Sequence, residues 1–173
     1  MAQSVELLLD PASEAAVREE WLALHQAGLP SEVRTGEDDS HRPHVTLFAS
    51  DEITPAAEQA LPALVADLQL SLQLGALMLF GPQRDRFVLV HAVLPSIALL
   101  ELQRAVGQAC RADRDGHFAP GCWAPHVTVA RRMSAAELPA AMAALEPVRA
   151  ADRPVLVTRC RRWDGTARRT WLL

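Results

Sequence analysis

At 173 residues the chain allows one compact domain or two small lobes sharing a core. Half of its residues are hydrophobic and 22% are charged, an ordinary soluble globular composition, and no apolar run reaches the roughly 18 residues of a membrane span. A net charge of −4 excludes the strongly basic balance of a general nucleic-acid binder.

That charge is uneven. Residues 1–110 hold six arginines against fifteen acids, residues 111–173 eleven against six, and lysine is absent. Every fixed cation is therefore a guanidinium, whose planar fork grips phosphate bidentately, and the excess in the last third hints at an anionic ligand there. Cys110, Cys122 and Cys160 are an odd number without metal-ligand spacing and read as reduced thiols. The start, Met1-Ala2-Gln3-Ser4-Val5-Glu6, lacks the basic and apolar stretches of a signal peptide. A cytoplasmic location is the expectation.

In chain order, Val5 to Leu9 is a short strand. Asp10-Pro11 supplies an N-cap and a first-turn proline to a helix striped by Ala15, Val17, Trp21, Leu22 and Leu24 and stopped by Gly28 and Pro30. His25 on that helix reads as a surface residue. Residues 31–41 form a polar, acidic loop on the rim of a groove, where His41 reads as a solvated loop residue unless it contributes to the groove. The loop leads into Arg42-Pro43-His44-Val45-Thr46-Leu47. Thr54-Pro55 begins a second helix to about Asp67. Leu68 to Phe80, bent near Gly75, and Arg86 to Leu94 pair as a hairpin around a turn at 81–85. His91, inside the second of these strands, reads as structural unless that strand turns it into the groove.

Pro95-Ser96 caps a third helix to about Ala112, and the turn-rich stretch 113–122 leads into Trp123-Ala124-Pro125-His126-Val127-Thr128-Val129. Ser134-Ala135-Ala136-Glu137 is a capping box for a fourth helix to about Leu145. Strands at Arg153–Trp163 and Thr166–Leu173 then flank the hairpin turn Asp164-Gly165. One order of elements recurs twice, each time with one motif strand. This is the pattern of a duplicated α+β domain in which residues 1–173 form two pseudo-symmetric lobes.

The two motif strands carry the chemistry. Alternate residues of a strand share a face, so His44 with Thr46, and His126 with Thr128, look into a cleft while the aliphatics between them enter the core. One His-x-Thr is uninformative, because threonine is a good strand former. Two copies, each after a proline and each followed by a helix-like segment, point to two halves facing one groove. Phe48, next on the His44 and Thr46 face if the strand runs on, is the candidate base-stacking surface. Trp123 reads as core or groove wall.

Paired His-x-Thr-aliphatic motifs about eighty residues apart resemble those of the 2H phosphoesterase superfamily, most closely the bacterial RNA 2',3'-cyclic phosphodiesterases, or 2'-5' RNA ligase family. The likeness runs from the opening strand to about Met133. The resemblance implies antiparallel sheets forming a central groove with helices outside. It further implies that His44 and His126 are the catalytic pair and that Thr46 and Thr128 bind the phosphate. That family's second motif often ends in arginine, and Arg131 stands there as a phosphate ligand. On a regular strand, however, it would face away from His126. The implied activity is metal-independent hydrolysis of 2',3'-cyclic phosphates, with weak reverse 2'-5' ligation. It needs no cofactor and takes RNA termini or small cyclic nucleotides as partners, the protein acting as a monomer.

Histidine can act as acid or base near neutral pH. Two imidazoles across one phosphate would supply both, His126 activating water and His44 protonating the departing ribose oxygen. RNA ends, cyclic nucleotides, ADP-ribose cyclic phosphate and 2'-5' oligonucleotides all present such a phosphate. A metal site is one rival, although no acid or cysteine stands at ligand spacing around either motif. A non-catalytic module that binds nucleotides or RNA ends is another.

Overall fold

The computed structural model describes residues 3–34, 40–113, 115–150 and 153–173. The acidic stretch 35–39 of the loop before the first motif, Arg114 of the later loop, and Met1 and Ala2 lie outside the described residues. The elements are β1 (Gln3–Leu8), α1 (Pro11–Gln26), β2 (His44–Ser50), α2 (Pro55–Val65), β3 (Leu70–Gln83), β4 (Arg86–Val93), α3 (Ile97–Ala109), β5 (His126–Met133), α4 (Leu138–Leu145), β6 (Pro154–Val157), β7 (Arg159–Asp164) and β8 (Arg169–Leu172).

Helix starts fall where capping chemistry puts them. Asp10 accepts from the Ala12 and Ser13 amides, Thr54 from Ala57 and Ser96 from Leu99, satisfying donors a helix start leaves orphaned. In the fourth helix Glu137 reaches back to the Ser134 amide at 2.7 Å. Residues 135–137 nevertheless stay a turn, and the helix begins at Leu138 with Pro139 in its first turn.

The strands form one antiparallel sheet in the order β6-β3-β4-β5-β2-β1-β7-β8. The expected mixed α and β architecture with an antiparallel sheet is what the chain adopts. The motif strands β2 and β5 are central neighbours joined at one register pair, Val45 opposite Val127. Away from that pair each runs with its own partner, β2 with β1 and β5 with β4. Two half-sheets therefore abut at the motifs. Helix α1 packs on β5 and against α4, while α3 packs on β2 and against α2.

Val5, Leu7, Val45, Leu47, Val127 and Val129 meet Val17, Trp21, Leu24, Leu99 and Val106 in one buried cluster. Each fully buried aliphatic of this kind contributes about 1.5–3 kcal/mol. This side of the sheet is closed, which leaves the other for the site.

Three local details differ from the sequence reading. The β3–β4 turn is only Arg84-Asp85, both at positive φ, with Gln83 opposite Arg86, so β3 extends through Gly81 and Pro82. Arg153–Trp163 is two strands. β6 joins β3 at one edge, and after Thr158 the chain crosses to pair β7 with β1. The last hairpin has a four-residue loop, because Asp164 turns back to accept the Thr166 and Ala167 amides and the ladder closes at Asp164–Arg169.

Candidate active site

Each motif strand contains a β-bulge at the same point. On β1, adjacent Val5 and Glu6 face Phe48 and Thr46, leaving Leu47 extra. On β4, adjacent Leu89 and Val90 face Ala130 and Thr128, leaving Val129 extra. A bulge turns every later side chain to the opposite face. Leu47 and Phe48 are both buried, as are Val129 and Ala130.

Two expectations meet this geometry differently. Phe48 does not continue the His44 and Thr46 face. It is 4% exposed, in the core, with its ring 5.6 Å from that of Phe118, so it offers no stacking surface for a base. Arg131 is rotated the other way, onto the face of His126 and Thr128, and is exposed. At each bulge an indole N–H satisfies the threonine carbonyl: Trp21 donates to Thr128 and Trp123 to Thr46, both at 3.0 Å.

One step along each strand from Val45–Val127 sets His44 beside Thr128 and Thr46 beside His126, all four half-buried. Directly opposed side chains have Cβ atoms about 4.5–5.5 Å apart, and diagonal ones about 7–8 Å. The two imidazoles thus stand diagonally across one patch, each flanked by a hydroxyl.

Both rings are oriented alike. His44 Nδ1 lies 2.6 Å from the Arg42 carbonyl and His126 Nδ1 2.8 Å from that of Ala124. A carbonyl only accepts, so Nδ1 carries hydrogen in each ring and Nε2 is the nitrogen left for chemistry. Pro43 and Pro125, between each ring and its carbonyl, fix φ and hold the preceding residue extended.

The surroundings of the two rings differ. Burial pushes His126 below its ordinary value of 6.5, and although the Ala124 carbonyl works against this, the positive charges of His44 and Arg131 add to it. Glu6 Oε1 stands 3.6 Å from His44 Nε2. Burial alone would raise the Glu6 carboxyl. The charges of His44 and Arg161, with hydrogen bonds from Ser4 and Arg161, more than offset it and hold Glu6 below the usual carboxylate value. Arg161 Nε donates to Glu6 at 2.7 Å. Arg131 Nη1 lies 3.8 Å from Glu32, whose carboxylate is also 3.1 Å from His41 Nε2. His41 is not a solvated loop residue, since its ring stacks on Trp21 at 5.3 Å.

Phe80 meets the His126 ring edge-on, centroids 4.8 Å apart, and is the half-buried aromatic beside the patch. Neither Phe80 nor Glu32 had a readable signal, but Ser4 and Glu6 alternate with Val5 and Leu7, and that pattern was available. His91 faces away. It pairs with Val127, is fully buried, and lies 2.9 and 3.0 Å from the Glu20 carboxylate oxygens. Cys110 and Cys160 are buried free thiols, and burial pushes the latter up to about 12. Among the described residues no group of three or more His, Cys, Asp or Glu side chains is placed to hold a metal, and no helix is long and apolar enough to cross a membrane.

Two His-x-Thr strands meeting at the centre of an antiparallel sheet, with helices closing its far side, define a 2H phosphoesterase. A sequence model of the 2'-5' RNA ligase superfamily matches residues 11–164, and the chain belongs to that family. No curated protein matches it by sequence. Solved structures similar in fold include apo E. coli LigT, at 19% identity and a TM-score of 0.56 over 99% of this chain and 94% of that one. Kluyveromyces marxianus Usb1 gives 13% and 0.56 over 99% and 98%. E. coli LigT complexed with 3'-AMP gives 20% and 0.54 over 99% and 92%.

Proposed function

We propose that the protein is a metal-independent cyclic phosphodiesterase that opens 2',3'-cyclic phosphate ends of RNA or small nucleotides to phosphomonoesters. The observation that carries this is the diagonal pair of imidazoles, each with Nδ1 tied to a carbonyl and with Nε2 as its remaining nitrogen, on a face shared with two threonine hydroxyls. The 3'-AMP complex of E. coli LigT supports a nucleotide phosphate as the ligand of this fold.

In this reading His126, kept neutral by burial, takes a proton from water through Nε2 as the water oxygen bonds to phosphorus. His44 gives its Nε2 proton to the ribose oxygen as the phosphorus–oxygen bond breaks, the Glu6 carboxylate standing 3.6 Å from that nitrogen. Thr46 and Thr128 donate to the non-bridging oxygens, and Arg131 neutralises charge gathering there. With a 5'-hydroxyl in place of water as the attacking group and the ribose 3'-oxygen leaving, the same site joins two ends through a 2'-5' linkage as the minor reaction.

The acid limb of kcat/KM reports the free enzyme's base. With His126 depressed, activity is lost only as pH falls through a value below 6.5. Arg131→Ala removes a cation that pushes His126 down, so the limb moves to higher pH. The same substitution lowers kcat/KM by about 10–100-fold, as expected for a hydrogen bond to a charged group. A pH–rate profile of both proteins checks the two effects.

The reading itself is tested by assaying 2',3'-cyclic nucleotides, cyclic-ended RNA, ADP-ribose cyclic phosphate and 2'-5' oligonucleotides in EDTA. Turnover of a cyclic phosphate supports it. Tight binding of these ligands without turnover would favour a binding module instead.

A further inference from the structure

The face bearing the histidines continues across the sheet. Leu8, the register partner of His44, is also the partner of Arg159 on β7, two strand spacings or about 9.5 Å away. There the surface opens into a cleft of about 350 Å³ whose lining includes Arg42, Arg159, Arg161 and Thr170, with no acidic residue among the described residues that line it. Arg42 is paired with Glu14, and Arg161 with Glu6. Arg161 uses Nε on Glu6 and Nη1 on the Ser40 carbonyl, leaving its second Nη without a hydrogen bond among the described residues. Arg159 is exposed and makes no ion pair or hydrogen bond among the described residues.

An uncompensated guanidinium edge in a concave site wants an anion, and the fork geometry fits phosphate. Because Glu6 touches both His44 and Arg161, cleft and reaction site share a wall, close enough for one extended ligand to reach both. We propose that this cleft is a second phosphate subsite, holding the phosphodiester just upstream of the terminal cyclic phosphate. Oligonucleotide ends, not mononucleotides, are then the preferred substrate class. The inference rests on the cyclic-phosphodiesterase reading and refines it.

The test compares cytidine 2',3'-cyclic phosphate, a dinucleotide ending in the same cyclic phosphate, and ADP-ribose cyclic phosphate, using the full chain and Arg159→Ala. The wild-type protein prefers the dinucleotide over the mononucleotide. Arg159→Ala lowers kcat/KM for the dinucleotide about tenfold, the low end for a hydrogen bond to a charged group, and leaves the mononucleotide unchanged. Equal loss on both substrates, no loss on either, or loss confined to ADP-ribose cyclic phosphate overturns the subsite. Should no cyclic phosphate turn over, the phosphodiesterase reading fails, and the subsite is read by binding of the 3'-phosphorylated dinucleotide. Weaker binding by Arg159→Ala, with a log–log salt slope shallower by about 0.7 for one lost single-strand phosphate contact, supports it. Identical affinity and slope overturn it.

Discussion

Replacing His126 by alanine lowers kcat/KM for cyclic phosphate hydrolysis by about 10²–10⁴-fold, and His44→Ala does the same, each losing what a positioned acid or base supplies. The fold survives both changes. The rings are half-buried on the groove face, while the opposite face of their strands, through Val45 and Val127, makes the core contacts. If acid and base act in one step, their losses are not additive, and the double variant is no slower than the slower single one. Steady-state kinetics with thermal melts of all three variants measure this. Near-full activity in either single variant rules out the paired mechanism.

Glu20→Ala is the most damaging change expected away from the groove. Glu20 and His91 are both fully buried, and the carboxylate also accepts the Ala150 amide at 2.7 Å. It ties α1 to β4 and to the chain before β6, directly behind Val127. A buried ion pair is weak evidence of net stability, but removing one partner strands the other, at about 3–5 kcal/mol.

The pH dependence of that loss has a definite sign. Burial lowers the His91 value, but the hydrogen bond and charge of Glu20 raise it by more, so the net shift is upward. Stability from this pair is therefore fully present below the ordinary histidine value and fades as pH rises through the raised one. Urea unfolding of the wild-type protein and Glu20→Ala at pH 5.5 and pH 9 reads the difference. The gap is larger at the acid pH, and an equal gap at both would contradict the charged pairing.

The faces of the two motifs were legible because alternation is a local property. His44 with Thr46, and His126 with Thr128, come from the two-residue period alone, and helix starts at Asp10, Thr54 and Ser96 come from local capping. The residues just past each motif were not legible, because Leu47-Phe48 and Val129-Ala130 are apolar runs that fit a regular strand and a bulged one equally well. The bulges decided where Phe48 and Arg131 point, and only the pairing with β1 and β4 reveals them. Nor does any glycine or proline mark Thr158, where the chain leaves one half-sheet for the other. That crossing places Arg159 and Arg161 on the face of His44 with only β1 between them, a juxtaposition of residues more than a hundred positions apart that no local pattern contains.

The most direct test of the central claim is to follow the imidazole nitrogens of His44 and His126 by long-range proton–nitrogen NMR while adenosine 3'-monophosphate is titrated in. Two rings acting on one phosphate predict that both Nε2 resonances move together and saturate with a single dissociation constant, while both Nδ1 signals keep their hydrogen-bonded positions. Movement of one ring with the other unaffected would contradict the account.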